Sequence, residues 1–274
     1  MLLVTAYFPM DFSNFSRDLP RINIKTEEGY FRRFSYLAKF KHNMVIFTFK
    51  RFKEKILQYR QEYNTKIIYL DNRDMNKWYN LFYKYMVLTN TQSKVIPSKR
   101  NMYEYVSPMY CTIMNSKAFF IKYVCNSKLF PEEDIVAWID FGCFYDDVNI
   151  DKIDYPFPKD KISLFSIPER EFNSIKDIIC ENKPFINGQT IIVPRHMGNL
   201  FFKEYKLNLN NLIIREKLIS DDEDSMCYMV MNKRNLYNLI PSPVREGMGL
   251  VYFIESFKYR WIYIIIMKLK YFKI

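Results

Sequence analysis

Apolar positions along the 274-residue chain gather into short runs separated by stretches in which they recur every three or four residues. The runs cover residues 2–8, 44–49, 66–70, 136–141, 162–167 and 190–193. Near-continuous apolarity over so few residues is what a parallel strand buried on both faces requires. Between the first two runs, Tyr30, Phe34, Leu37 and Ala38 fall on one helical face, and Ile56, Tyr59 and Tyr63 do the same before the third. Met75, Trp78, Phe82, Tyr85 and Met86 predict a further helix. Asn115 or Ser116 offers a cap for another that carries Phe119, Tyr123 and Val124. Strands alternating with helices predict an α/β fold with a mostly parallel central sheet flanked by helices. Turn-forming residues are densest at 9–21, 146–161 and 220–224, and neither a repeat nor a linker interrupts the pattern. One domain over residues 1–250 is expected, followed by an aromatic and basic tail, 251–274.

Composition adds limits. With 49% hydrophobic and 26% charged residues the chain is globular, which excludes a disordered tail or a fibre. The 41 Lys and Arg outnumber the 30 Asp and Glu, giving +11, and 18% of residues are aromatic. Such a balance suits a nucleic-acid surface, but the basic residues are interspersed with acidic ones and the rings sit at core-like spacings. No nucleic acid is expected as a partner. The five cysteines, at 111, 125, 143, 180 and 227, form no close pairs, so neither a zinc motif nor a disulfide framework is indicated. A reducing cytoplasm fits. The apolar start lacks a preceding basic residue and a cleavage site, and reads as a strand rather than a signal peptide. The longest apolar window, 261–267, is seven residues and too short to span a bilayer. Lys258, Arg260, Lys268, Lys270 and Lys273 surround it together with Trp and Tyr. That mixture suits peripheral attachment to an anionic membrane surface, here the cytoplasmic face.

The segment Trp138-Ile139-Asp140-Phe141-Gly142 ends an apolar run in a carboxylate. Asp140 is thereby placed at the carboxyl edge of a parallel sheet, where open α/β folds bind ligands. There it can hold a divalent cation against a diphosphate, orient a sugar hydroxyl, or simply cap the next turn. Asp221, Asp222, Glu223 and Asp224 open a later helical pattern. They suit the positive end of the helix dipole equally with a general base that takes a proton from an attacking hydroxyl. Arg32, Arg33 and Lys117 are cations at helical positions that can reach a diphosphate. Adjacent helical residues point about 100 degrees apart, so only one of the two arginines can face a site; Arg33 is assigned to a solvated face. His42 reads as a solvated turn residue. His196 stands at a strand-to-helix turn where a phosphate or metal ligand can sit. Gly-x-Ser-x-Gly, Walker and Gly-x-Gly-x-x-Gly motifs are absent, which removes the main warrants for hydrolase, nucleotide triphosphatase and dinucleotide readings.

The order of several segments resembles the HtrL/YibB family, which includes the WlaTC proteins. They are Thr5-Ala6-Tyr7-Phe8, Tyr30 with Phe34 and Ala38, Met44-Val45-Ile46-Phe47-Thr48, and Lys66-Ile67-Ile68. Tyr110 with Met114-Asn115-Ser116-Lys117, then 138–142, then Asp221-Asp222-Glu223 continue it, so the resemblance covers residues 2–235. It implies a protein of bacterial lipopolysaccharide or lipooligosaccharide gene regions that looks like a glycosyltransferase of the GT-A type, a single nucleotide-sugar-binding domain. Its donor would be a nucleotide sugar and its acceptor a glycan or lipid-linked glycan. On that resemblance Thr5, Ala6, Tyr7, Lys117, Asp140 and Gly142 line the donor, and Asp140, Asp221, Asp222 and Glu223 are the catalytic carboxylates. The metal motif of such enzymes is Asp-x-Asp. Here Gly142 takes its last position, leaving Asp140 as the metal ligand, with Asp146 or Asp147 as the nearest second carboxylate. Dependence on Mn or Mg is therefore in question, and a non-catalytic accessory protein with a degenerate site is the alternative.

Overall fold

Each of the six apolar runs forms a strand: β1 (Leu2–Tyr7), β2 (Met44–Thr48), β3 (Thr65–Tyr69), β4 (Ile135–Ile139), β5 (Ile162–Ser166) and β6 (Ile186–Pro194). The computed structural model describes residues 1–9, 26–145, 150–167, 170, 174–242, 250 and 253. Asp146, Asp147, most of the 9–21 loop and the tail at 251–274, save Phe253, lie outside the described residues. A seventh strand, β7 (Tyr237–Pro241), completes one sheet of order β3-β2-β1-β4-β6-β5-β7. The pairs β1·β2, β2·β3, β1·β4 and β5·β7 are parallel, so the sheet is mostly parallel. β6, expected to be parallel like the others, runs antiparallel between β4 and β5. Apolar content reports that both faces of a strand are buried, and β6 meets that condition in either direction. β7 escaped the pattern because Asn238 and Pro241 break its apolar run; Pro is tolerated on this edge strand.

Side chains alternate across the sheet, with Leu2 and Val4 in one core layer and Leu3 and Tyr7 in the other. The second layer is closed by α1 (Glu27–Ala38) and α2 (Lys53–Tyr59). Thr26 caps α1 by accepting from the Gly29 N–H at 3.1 Å, and Glu27 and Glu28 favour its dipole. The predicted face extends correctly through Phe34, Leu37 and Ala38. α2 stops earlier than predicted, and Tyr63 lies in the turn beyond it. Arg60 at that stop is 1% exposed and donates to the carbonyls of Ala38, Phe40 and His42 at 2.9, 2.7 and 2.6 Å. One buried guanidinium thus satisfies the acceptors that the end of α1 and the following turn leave unpaired. His42 is also buried rather than solvated; its Nε2 accepts from the Ile153 N–H at 2.8 Å, and burial lowers its pKa to about 4.

The first layer is covered by the remaining helices. α3 (Asn72–Thr89) buries Met75 and Phe82, with Trp78 packed against the core, and leads through α4 (Thr91–Lys94) and α5 (Tyr103–Val106) to α6 (Pro108–Asn115) and α7 (Lys117–Asn126). Ser116 precedes α7 without a side-chain cap, and the buried face is Lys117, Ala118, Phe120, Ile121, Val124 and Cys125. Tyr123, expected inside, is 46% exposed. α8 (Ile175–Cys180), α9 (Gly198–Asn211) and α10 (Asp222–Asn232) follow. Just past β4, the Phe141 ring stacks on Phe34 at 4.1 Å and on Tyr7 at 4.9 Å. Pairs of this kind contribute about 0.5–1.5 kcal/mol beyond burial, and here they pin the turn that carries Asp140. Among the described residues no helix is long and apolar enough to cross a membrane.

Candidate functional site

Three elements converge where β4 ends. Asp140 follows β4, Lys117 opens α7, and Asp222 opens α10. The antiparallel β6 brings its own beginning to the same edge, where the Asp140 N–H donates to the Gln189 carbonyl at 2.9 Å. The Lys117 ammonium lies 3.0 Å from Asp140 Oδ1, 3.2 Å from its Oδ2, and donates to the Gly188 carbonyl at 3.0 Å. It also stands 3.0 Å from Asp222 Oδ2, a charge contact off the hydrogen-bond direction. Lys117 is 3% exposed and Asp222 1%, whereas a quarter of the Asp140 side chain is open. Trp138 fixes Asp140 further by donating its indole N–H to Oδ1 at 2.7 Å.

The charges explain the arrangement. Burial disfavours the Lys117 ammonium, but Asp140 and Asp222 outweigh it and hold the group above the usual lysine range. Burial pushes the Asp222 carboxyl up to about 6, with Asp140 reinforcing and Lys117 opposing. Asp221 caps α10 by accepting from the Glu223 N–H at 3.1 Å, so the acidic segment is a helix cap and part of the site at once. Glu223 is half-buried; its Oε1 accepts from the Gly188 N–H at 3.0 Å, and burial followed by the Asp222 charge raises its carboxyl to about 8. Burial also raises Asp221 well above the carboxylate range, with Glu223 and Asp224 adding to it.

Gly188 belongs to this site although no motif marks it. A Cβ there would run into the Asp222 carboxylate and lie 3.0 Å from Glu223 Cγ. The only signal in the sequence is a glycine at the head of an apolar run, a mark of close approach by another group.

Other nominated residues fall elsewhere. Thr5 is 1% exposed within β1 and its hydroxyl has no hydrogen-bond partner; the Tyr7 ring packs on Phe31, Phe52 and Phe141; Ala6 is half-buried against the core. The side chains of Thr5 and Tyr7 are thus enclosed rather than presented to a ligand. Lys117, expected to meet a diphosphate, is enclosed by the two carboxylates instead. Gly142 is covered by the Tyr30 ring, and a Cβ there would lie 2.7 Å from Tyr30 Cδ1. The Tyr30 ring therefore occupies the space into which any side chain at position 142 would start. Among the described residues a divalent cation does not fit between Asp140 and Asp222, because Lys117 already stands between them and pairs with Asp140. Among the described residues no group of three or more His, Cys, Asp or Glu is placed to hold a metal.

Arg33, assigned to a solvated face, is 7% exposed, while Arg32 is the exposed one of the pair. His196 is exposed and, because β6 is antiparallel, stands at the sheet edge opposite Asp140, lining a cavity of about 550 Å³ with Asp134, Arg195 and Asn199.

Residues 1–246 match the family described as "Bacterial protein of unknown function (HtrL_YibB)". The chain is 27% identical over 252 residues to Protein HtrL of Escherichia coli (strain K12), with 86% of each chain covered. Among solved structures it is similar to mouse xyloside xylosyltransferase 1 in its apo form, at 12% identity and a TM-score of 0.45 over 87% of this chain and 84% of that one. A likeness of that size assigns no chemistry.

Proposed function

The chain belongs to the HtrL/YibB family, and we propose that it transfers a sugar from a nucleotide-sugar donor to a surface glycan such as a lipopolysaccharide or lipooligosaccharide. The observation that carries this reading is the Asp140–Lys117–Asp222 bridge at the carboxyl edge of the sheet, with Glu223 held beside it by Gly188. Asp140 offers a fixed, partly open carboxylate whose remaining lone pairs are suited to accept hydrogen bonds from sugar hydroxyls. An attacking acceptor hydroxyl must lose a proton, and Glu223 is the half-buried carboxylate placed to take it. Its raised pKa lies near a neutral working pH, as a general base requires. Asp222 is too enclosed to touch a substrate and acts through Lys117 and Gly188 as a positioning residue.

A panel of nucleotide sugars tests the proposal by thermal shift and by transfer to a lipooligosaccharide acceptor. A donor that stabilises the chain, and whose transfer falls at least a hundredfold in Asp140→Asn, supports it. If no nucleotide sugar shifts the melting temperature or is turned over, the accessory-protein reading replaces it.

A further inference from the structure

Three cations were candidates for a diphosphate, and the structure leaves one of them available. Arg32 points outward, and Lys117 is surrounded by Asp140, Asp222 and the Gly188 carbonyl. Arg33, on α1, is 93% buried by its 7% exposure, yet among the described residues it has no carboxylate within ion-pair distance. Among the described residues its one hydrogen bond is a long one, Nη1 to the Gly142 carbonyl at 3.3 Å. The guanidinium carbon lies 3.9 Å from the centre of the Tyr145 ring. Stacking of that kind occupies a face of the guanidinium and leaves its in-plane N–H edge for an oxyanion. A guanidinium has five N–H groups, so most of this donor set is uncommitted.

The surroundings place this unpaired cation beside the site. Tyr30, one turn before Arg33, covers Gly142, and its hydroxyl is raised above the ordinary tyrosine range by burial and then by the Asp140 carboxylate, with Arg33 opposing. Asp140, Lys117 and Arg33 all act on the buried Cys143 thiol. A buried charge without a counter-ion is unfavourable in the free protein and becomes favourable when an anion arrives. We infer that Arg33 is an oxyanion site that takes a phosphoryl group through its in-plane N–H edge, next to the sugar-binding carboxylate Asp140. That the phosphoryl group is the diphosphate of a sugar donor rests on the transferase reading; the anion site itself does not. Division of labour follows: Arg33 supplies the positive charge for the diphosphate that Lys117, locked in its bridge, cannot supply.

Calorimetric titration of inorganic pyrophosphate into the full chain, Arg33→Gln and Arg33→Lys tests the site. The expected result is binding to the wild type, weakened at least tenfold in Arg33→Gln and less so in Arg33→Lys, with the melting temperature of unliganded Arg33→Gln unchanged or raised. No pyrophosphate binding by the wild type, or equal binding by Arg33→Gln, overturns the inference. Should Arg33→Gln fail to fold, Arg33→Lys decides: several-fold weaker binding supports the site, and wild-type affinity overturns it. Arg33-dependent pyrophosphate binding without any nucleotide-sugar turnover upholds the anion site while rejecting the transferase reading. Turnover with an unchanged donor KM in Arg33→Gln does the reverse.

Discussion

The Asp222 carboxylate occupies the space that a Cβ on Gly188 would need, so this strand and the start of α10 can approach only because position 188 has no side chain. The same glycine uses both backbone groups in the site, its carbonyl for Lys117 and its N–H for Glu223. Gly188→Ala is expected to push Asp222 off the bridge and to lower stability by about 1–3 kcal/mol, the usual range for overpacking. Urea denaturation measures it; a variant as stable as the wild type would show that α10 can shift without loss.

Lys117→Met removes the cation between Asp140 and Asp222, two carboxylates of which one is fully buried. Loss of one partner from a buried pair typically costs about 3–5 kcal/mol. The double variant Lys117→Met/Asp222→Asn should recover part of that loss, because a neutral amide no longer needs the ammonium. A double-mutant cycle in denaturant checks the coupling, and strict additivity would argue against the bridge.

Stability should fall as pH rises from about 4 to about 8. Asp222 and Asp224 are raised to about 6 and about 7, chiefly by burial. In this window the folded chain therefore holds more protons than the unfolded one, and each ionisation favours unfolding. Asp224 is 2% exposed, and its Oδ1 has no hydrogen-bond partner. Asp224→Asn should consequently gain stability over the wild type, and gain clearly more at about pH 8.5, where the folded wild type must carry the buried charge, than at about pH 5, where its carboxyl is still protonated. Thermal melts across pH provide the measurement; an equal effect at both values would remove Asp224 from the titration.

For the proposed reaction, the rate should climb with pH as Glu223 ionises near its raised value of about 8. Glu223→Gln is expected to reduce kcat/KM by about 10²–10⁴-fold and to abolish that rising limb. A pH–rate profile in which the limb survives the substitution would assign it to another group.

Much of the scaffold was legible in the sequence. Apolar runs of strand length and rings spaced by three or four report which faces must leave water, and that demand placed β1 to β6, most of α1 and α3, and Asp140 at a strand end. Burial demand carries no direction, however, so the sequence could not tell that β6 runs against its neighbours. That reversal brings Gly188 to Asp140 and carries His196 to the far edge. Nor does local periodicity encode which distant charges meet. Lys117 is separated by 23 residues from Asp140 and by 71 from Gly188, and read alone it looks like a free cation. Only the packing of α7 and α10 against the end of β4 and the beginning of β6 turned it into a bridge, and only the seating of α1 under Tyr145 left Arg33 buried with no carboxylate partner among the described residues. Hydrophobic patterning acts residue by residue along the chain, whereas the pairing of buried charges is settled by whichever segments the folded core brings within a few ångströms.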